Sequence, residues 1–167
     1  SCEKIIGEGP VVTETRNTAG FEAIAVSIPA DVYFSESTLQ NISLEAQQNI
    51  LDEIETVVIE NKLRLRFKNP DTRIRTADRI VVRIAAPDVR IFEMNGSGNL
   101  EIVGAIDPSD ARFTVSGSGN IRADELITNK IEAVISGSGG IDIREGQANE
   151  EKITISARGR GNMGIVG

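Results

Sequence analysis

The chain has 167 residues, with 18 basic and 25 acidic side chains and a formal net charge of −7. This length corresponds to one domain with a core of its own, and the acidic balance excludes a nucleic-acid partner, whose phosphates need a basic surface. Histidine is absent, which removes Ser-His and Cys-His nucleophilic pairs and histidine metal sites. We therefore expect no metal.

The first ten residues, with two glycines and a proline, are predicted to be a flexible leader or tether. Cys2 is the only cysteine, so it has no partner for an internal disulfide. Its position is typical of a lipoprotein after signal removal, which makes Cys2 a candidate lipidation site, and the alternative is an incidental free thiol. No stretch approaches the roughly 20 apolar residues of a membrane span, so we expect membrane contact only through such an anchor.

Period-two alternation predicts a series of strands after the leader, with Tyr33 as a half-buried packing residue rather than a ligand platform. The predicted strands cover residues 11–15, 21–28, 31–35, 41–47, 57–60, 63–67 and 80–86. Residues 49–58 fit a short helix or a β-arc, Asn61 and Lys62 fit a hairpin turn, and residues 73–79 fit a protruding loop. We interpret residues 11–88 as irregular coils that include a hairpin or helix capping one end of the domain.

Residues 89–167 contain one glycine-rich phrase four times. Its copies are Asn95–Asn99, Ser116–Asn120, Ser136–Gly140 and Arg158–Asn162, and their starts are 21, 20 and 22 residues apart. Apolar residues alternate with polar ones on both flanks of each copy, which is the strand period. Self-similarity at such a period indicates stacked repeats, because one unit of about 20 residues cannot bury a core alone.

These repeats predict an all-β fold of the parallel β-helix or β-solenoid type, with coils of about 20 residues and a single domain over residues 11–167. Leu100, Ile121 and Ile141 should then lie side by side in the interior. Glu101, Arg122 and Asp142 should lie side by side on the outer face.

The second and fourth residues of each phrase are glycines, and we predict that they are structural corners where the backbone bends or neighbouring turns approach closely. They are Gly96, Gly98, Gly117, Gly119, Gly137, Gly139, Gly159 and Gly161. Residues 159–164 formally match a dinucleotide-binding motif, but that motif must open a helix, and the chain has no P-loop sequence either. We therefore expect no cofactor.

Three features together resemble a known family: the Gly-Ser-Gly-Asn phrase, the stretch from Phe21–Val26 to Asp31–Phe34, and the segment beginning at Asn61. They are similar to the auto-transporter adhesin head domain, or GIN domain, of Bacteroidetes-type bacteria. The resemblance covers the chain from about Val11 onward and implies a right-handed parallel β-helix, export and an adhesive surface role without catalytic residues. The chain departs from the pattern at Arg158 and Arg160, which replace the first and third residues of the phrase.

Two classes of function follow. The first is a non-enzymatic domain at the cell surface or on an outer-membrane lipoprotein, which binds a surface glycan or protein. The second is a carbohydrate-binding or polysaccharide-processing module, whose candidate residues are Arg122, Asp124, Glu125, Asp142 and Arg144. A solvated charge ladder explains these five residues more simply. A purely structural spacer that self-associates through sheet edges into a homo-oligomer is the third interpretation.

Overall fold

The computed structural model describes the backbone of residues 3–159 and 161–166, and the side chains of residues 3–147 and 161–166. In these residues the chain forms fifteen strands and one short helix. They are β1 Glu3–Ile6, β2 Val11–Arg16, β3 Ala23–Val26, β4 Ala30–Glu36, β5 Asn41–Gln47, α1 Gln48–Leu51, β6 Ile54–Ile59, β7 Lys62–Phe67, β8 Thr72–Arg75, β9 Ile80–Ala86, β10 Ile91–Met94, β11 Asn99–Ile106, β12 Asp110–Gly117, β13 Asn120–Gly137, β14 Gly140–Gly159 and β15 Asn162–Ile165.

The main sheet runs through most of these strands in the order β2-β5-β9-β4-β11-β13-β12-β10-β3-β7-β6, with β14 and β15 added beyond β13. β13 is 18 residues long. Its first part pairs with β11 and its second part with β12, so one strand joins the two sides of the sheet. A separate two-stranded sheet pairs β1 with β8 in parallel.

The prediction of a right-handed parallel β-helix or β-solenoid is wrong. Inside the main sheet β5 is antiparallel to both β2 and β9, and β6 is antiparallel to β7. Much of the stretch predicted as irregular coils is therefore made of antiparallel strands. Alternation of period two identifies a strand but not the direction of its partner, which is why the sequence pattern misled. The fold is all-β, with a mixed sheet that curls into a nearly closed barrel.

Arg16 brings the two edge strands of the main sheet, β2 and β6, close together. Its guanidinium donates to the carbonyl oxygen of Ile54 at 2.9 Å and to that of Leu51 at 3.0 Å, and Glu14 pairs with it at 2.5 Å. Only 19% of the Arg16 side chain is exposed. Side-chain hydrogen bonds therefore link edges that no backbone ladder joins among the described residues.

Within the mixed sheet, the strands of residues 89–166, which we call the repeat region, pair in parallel. Leu100, Ile121 and Ile141 are in register and at most 2% exposed. The prediction that these three side chains lie side by side in the interior is confirmed. The predicted outer alignment of Glu101, Arg122 and Asp142 is confirmed as well.

Three phenylalanines join the N-terminal strands to the repeat region in the core. Phe34 of β4 meets Phe92 of β10 edge-on, with ring centroids 5.4 Å apart. Phe92 stacks on Phe113 of β12 at 5.7 Å with an interplanar angle of 11°. All three are at most 1% exposed. Such aromatic pairs add to the stability gained from burial, so both regions share one core.

Local predictions in the N-terminal half have mixed outcomes. The stretch expected to be a flexible leader contains β1, and the expected protruding loop contains its partner β8. The amide of Asn49 holds β1 in place, because it accepts from the Glu8 N–H at 3.0 Å and donates to the Ile6 carbonyl at 2.7 Å. The hairpin between β6 and β7 is confirmed, but its turn is at Glu60 and Asn61, both at positive φ, one residue earlier than predicted, because Lys62 already belongs to β7.

Candidate functional site

A concave groove of about 750 Å³ crosses the outer face of β4, β11, β13, β14 and β15. We call it the polar groove. Its outward-facing residues form two rows across the strands. The amide row is Asp31, Asn99, Asn120, Gly140 and Asn162, and the charged row is Tyr33, Glu101, Arg122, Asp142 and Gly164. Arg79 also lines the groove, and so do the apolar residues between the two rows, Leu100, Ile121, Ile141 and Met163.

The parallel register explains why these side chains are together. Residues of one row occupy equivalent places on neighbouring strands, so they are spaced by about 4.8 Å. Alternation puts one inward-facing residue between the two rows, for example Leu100 between Asn99 and Glu101. The buried aliphatic side chains below thus fix where the polar side chains above must lie.

Hydrogen bonds run along the amide row. The Asn120 amide donates to Asn99 Oδ1 at 3.3 Å, and the Asn99 amide donates to Asp31 Oδ1 at 3.0 Å. Each donor therefore points toward β4, and the row has one direction. Its starting point is Asp31, whose side chain is 16% exposed.

Arg79 fixes the carboxylate of Asp31. Its Nη2 donates to Asp31 Oδ1 at 2.6 Å, and its Nε donates to Oδ2. The hydrogen bond from Arg79 holds the pKa of Asp31 below its usual value, and the bond from Asn99 acts in the same direction while partial burial opposes both. Asp31 is thus a carboxylate at neutral pH that accepts from two side chains at once.

The charged row is more loosely paired. Arg122 Nε lies 3.7 Å from Asp142 Oδ2, and both side chains are about half exposed. At the other end of the row the Arg83 guanidinium lies over the Tyr33 ring, 5.7 Å from its centroid. Tyr33 is half-buried, as predicted, but it also lines the groove. The groove therefore presents separate charges and one aromatic ring.

Gly140 leaves a gap in the amide row where the neighbouring copies of the phrase have asparagine. A Cβ placed on Gly140 would lie 3.1 Å from the carbonyl oxygen of Asn162 and 3.2 Å from Asn120 Oδ1. In the described part of the chain, Asn120 Oδ1 accepts no hydrogen bond. An amide oxygen thus faces the space that the absent side chain leaves.

The glycines proposed as structural corners lie at the bends that flank the groove. Gly117 and Gly137 have φ of 115° and 122°.

Other corner glycines are needed because neighbouring turns approach closely. A Cβ on Gly139 would lie 1.9 Å from the carbonyl oxygen of Gly119, and one on Gly161 would lie 2.6 Å from that of Gly139. Gly96 has no backbone atom closer than 3.8 Å to a Cβ, whereas Gly98 would meet the Ala30 carbonyl oxygen at 2.5 Å. Gly159 is aligned with Gly137.

The candidate residues of the carbohydrate-processing hypothesis do not form one cluster. Asp124 accepts from the backbone N–H of Gly104 at 3.0 Å, which is a structural use of its carboxylate. Glu125 of β13 is aligned with Glu145 of β14, and Arg144 is exposed. Only Arg122 and Asp142 line the groove. Among the described residues, no cluster of aspartate, glutamate or cysteine side chains could hold a metal ion.

Cys2 lies outside the described residues, so its lipidation stays a prediction. In the part of the chain that the structure describes, no helix is both long and apolar enough to cross a membrane.

Sequence patterns gave part of the groove in advance. The alignment of Glu101, Arg122 and Asp142 within the charged row was predicted, and the asparagines were visible as the last residue of three phrase copies. Asp31 and Arg79 were not predicted as site residues, because they lie outside the repeats and 48 positions apart. The sequence signal for Asp31 was weak. This residue begins a predicted strand two positions after Pro29, and that position does not indicate which side chain it pairs with.

A family profile described as "putative auto-transporter adhesin, head GIN domain" matches residues 20–165. The chain belongs to this family. The resemblance inferred from the phrase and the early strands is thereby confirmed. An adhesin family indicates an exported or surface location.

Solved structures of bacterial proteins share this fold. A "putative adhesin" of Bacteroides fragilis has a TM-score of 0.65 at 15% identity, covering 97% of this chain and 100% of that one. A "putative adhesin" of Parabacteroides distasonis has a TM-score of 0.69 at 16% identity, with coverages of 98% and 84%. A "putative lipid binding protein" of the same species has a TM-score of 0.53 at 17% identity, with coverages of 99% and 100%. At such identities the likeness concerns the fold alone. No curated protein matches the chain.

Proposed function

We propose that this GIN-domain chain is a non-enzymatic binding domain of the cell envelope, and that the polar groove is the surface with which it adheres to its partner. The observation that carries the proposal is the pair of polar rows held in register on one rigid sheet. Side chains fixed in this way lose little conformational freedom on binding, which favours affinity. Membership of an adhesin family supports the same assignment.

The absence of histidine from the chain and the engagement of Asp124 by a backbone N–H support a binding role over catalysis. Of the three groove carboxylates, Asp31 and Asp142 each face an arginine. A general acid needs a carboxyl whose pKa is raised, whereas the pKa of Asp31 is lowered. We therefore assign these acids to recognition.

Adhesion is tested with beads coated with the chain in one orientation and counted on epithelial cell layers and on bacterial envelopes. Beads should attach above the level of albumin-coated beads, and Arg122→Ala should lower attachment roughly fivefold if this arginine is central to the contact. Arg112→Ala is the matched control, because Arg112 pairs with Glu132 on the next repeat, outside the groove. Equal loss for both variants, or no attachment above albumin, contradicts the proposal.

The non-enzymatic part is tested with the same preparation. Linear polysaccharides are incubated with the chain and the release of reducing ends is measured. Turnover that Asp142→Asn abolishes would show a glycan-processing enzyme instead.

Attachment to the membrane through a lipid on Cys2 is a further part of this proposal. Cells that express the full gene product are labelled with radioactive palmitate. Label that is present in the unaltered protein and absent in Cys2→Ser supports the anchor, and label that is equal in both contradicts it.

A further inference from the structure

We propose that the polar groove binds a neutral, linear glycan that lies along the amide row, across the strands. This inference rests on the proposed function, because it names the chemical class of the partner that the same groove would bind. It is carried by the hydrogen-bonding pattern of the row, by the balance of charge around it and by the gap at Gly140.

The amide row has the hydrogen-bonding character of a sugar hydroxyl. A carboxamide both donates and accepts, as a hydroxyl does, whereas carboxylates only accept and guanidinium groups only donate. Asn99 and Asn120 each use one donor along the row. The second hydrogen of each amide remains for a ligand above the sheet. The row thus presents amide donors and acceptors at Asn99 and Asn120.

The groove has no excess of charge that would select an ion. Asp31, Glu101 and Asp142 stand against Arg79 and Arg122, a net charge of −1. Both Nε and Nη2 of Arg79 are engaged by Asp31, and Arg122 faces Asp142. An anionic polymer would have to break these pairs and approach three carboxylates. A neutral ligand has no such cost.

Gly140 carries no side chain, and the neighbouring amide oxygen in the row has no protein donor among the described residues. Asn120 Oδ1 lies 3.2 Å from the position that a Cβ on Gly140 would take, and the Asn162 carbonyl oxygen lies 3.1 Å from it. A ligand hydroxyl that lies over Gly140, above the sheet, can donate to Asn120 Oδ1. Tyr33 lines the groove three strands away from Gly140 and offers the part of its ring that Arg83 does not cover to the apolar face of a sugar.

The length of the groove indicates an oligosaccharide rather than a single sugar. Five strands, β4, β11, β13, β14 and β15, give four inter-strand steps of about 4.8 Å, or about 19 Å in total. A ligand that spans this distance contacts several amides at once. Affinity should therefore rise with chain length and then level off.

The first experiment is isothermal titration with neutral β-1,4-linked oligomers of glucose, mannose and xylose, from two to six units, with hexagalacturonic acid as the anionic comparison. At least one neutral hexamer should bind more tightly than its dimer and than the anionic hexamer. Its affinity should be the same at about 50 and 200 mM salt, because no charges are exchanged. Binding confined to the anionic hexamer, or strongly weakened by salt, overturns the inference.

The second experiment uses a pair of glycine variants. Gly140→Ala puts a methyl group into the gap and should weaken binding of the hexamer about tenfold, the usual effect of losing one hydrogen bond of about 1.4 kcal/mol. Gly20→Ala is the matched control, because nothing lies within 4 Å of its Cβ position and it is outside the groove. Circular dichroism checks that both variants fold. Equal affinities of the two folded variants contradict the role of the gap. Should Gly140→Ala not fold, Asn120→Asp replaces it, with a loss of at least the same size expected because both amide hydrogens are removed, including the one left for the ligand.

The two proposals fail in different ways. If beads adhere to cells but none of the neutral oligomers binds, the glycan inference falls and the adhesive function stands. If a neutral hexamer binds but beads do not adhere, the adhesive function falls. Beads that adhere only to envelopes stripped of polysaccharide, or vesicles of anionic lipid that bind where no sugar does, also overturn the glycan inference.

Discussion

The N-terminal part of the main sheet, residues 11–86, and the repeat region are both made of strands in which inward-facing and outward-facing residues alternate. Different kinds of contact hold each of the two regions together. In the repeat region parallel strands lie in register and glycine corners lie against one another. In the N-terminal part antiparallel strands are joined by particular side chains, such as Arg16 between the edges. Repetition therefore extends a sheet, whereas its closure depends on residues that occur once.

The polar groove lies where these two regions meet. β4, from the N-terminal part, pairs in parallel with β11, the first strand of the groove that the repeat region supplies. Asp31 therefore extends the amide row of the repeat region, and Tyr33 extends the charged row. A ladder of repeats alone would have no fixed end. The N-terminal strand provides that end in the Asp31–Arg79 pair.

The largest expected effect comes from separating the shared core of the two regions with Phe92→Ala. Phe92 contacts Phe34 on one side and Phe113 on the other. Removing this buried ring should lower the free energy of unfolding by about 3–5 kcal/mol, because a cavity is left in addition to the lost burial. Urea unfolding followed by far-UV circular dichroism measures the change.

The control for this variant is Leu39→Ala, since Leu39 is 77% exposed and should change stability by less than about 0.5 kcal/mol. Fluorescence of Tyr33, the only tyrosine, reports on β4 in the N-terminal part. In the unaltered chain its transition should coincide with that seen by circular dichroism. Two separate transitions there, or a loss below about 1 kcal/mol in the variant, would show that the regions do not share a core.

Gly139→Ala adds a side chain at a corner of the repeat region. We expect it to lower the free energy of unfolding by about 3 kcal/mol, a smaller loss than for Phe92→Ala and at the upper end of the range for overpacking. The added Cβ would lie 1.9 Å from the Gly119 carbonyl oxygen and 2.6 Å from Val115 Cγ1, so backbone must move. Gly20→Ala, in open space, should be neutral or slightly stabilising. Thermal unfolding of both variants makes the comparison. Similar melting temperatures would mean that the corners tolerate a side chain.

Sequence patterns predicted the regular part of the molecule well. The alternation around each phrase fixed which residues face inward, as Leu100, Ile121 and Ile141 show. β5 and β9 begin and end at the predicted residues. Family resemblance was also sufficient to identify the GIN domain. These predictions succeeded because side-chain direction depends on local period alone.

Strand direction and closure could not be predicted in the same way. Whether β5 pairs parallel or antiparallel with β9 depends on residues far apart in the chain, and the alternation of Ile42 and Leu44 is the same in both cases. The two glycines and the proline of the first ten residues predict a flexible leader, whereas Asn49 and β8, both far along the chain, give β1 its partners. The pairing of Asp31 with Arg79 is of this long-range kind too.

Arg16→Ala tests the closure of the barrel. We expect the free energy of unfolding to fall by about 2 kcal/mol, because hydrogen bonds from a charged donor to the Ile54 and Leu51 carbonyl oxygens are removed. Arg16→Lys should recover only part of it, because an ammonium group lacks the fork that reaches two acceptors. Arg73→Ala is the control on an exposed arginine of β8. Urea unfolding gives the three values. A neutral Arg16→Ala would show that the edges stay together without this side chain.

The smallest effect concerns the junction itself and depends on pH. The hydrogen bond from Arg79 lowers the pKa of Asp31 below its ordinary value of 3.8. The stability that the carboxylate contributes is therefore complete above pH 3.8 and is lost as the pH falls below that value.

Asp31→Asn should lower the free energy of unfolding by about 0.5–1 kcal/mol at pH 7, as for a partly exposed ion pair. Its difference from the unaltered chain should shrink below pH 3.8, whereas Asp110→Asn, at an exposed acid, should differ little at any pH. Thermal unfolding between pH 7 and about pH 2.5 measures both. A difference that persists unchanged at the acid end would mean that Asp31 acts through packing instead of charge, and the fixed end of the amide row would then not depend on Arg79.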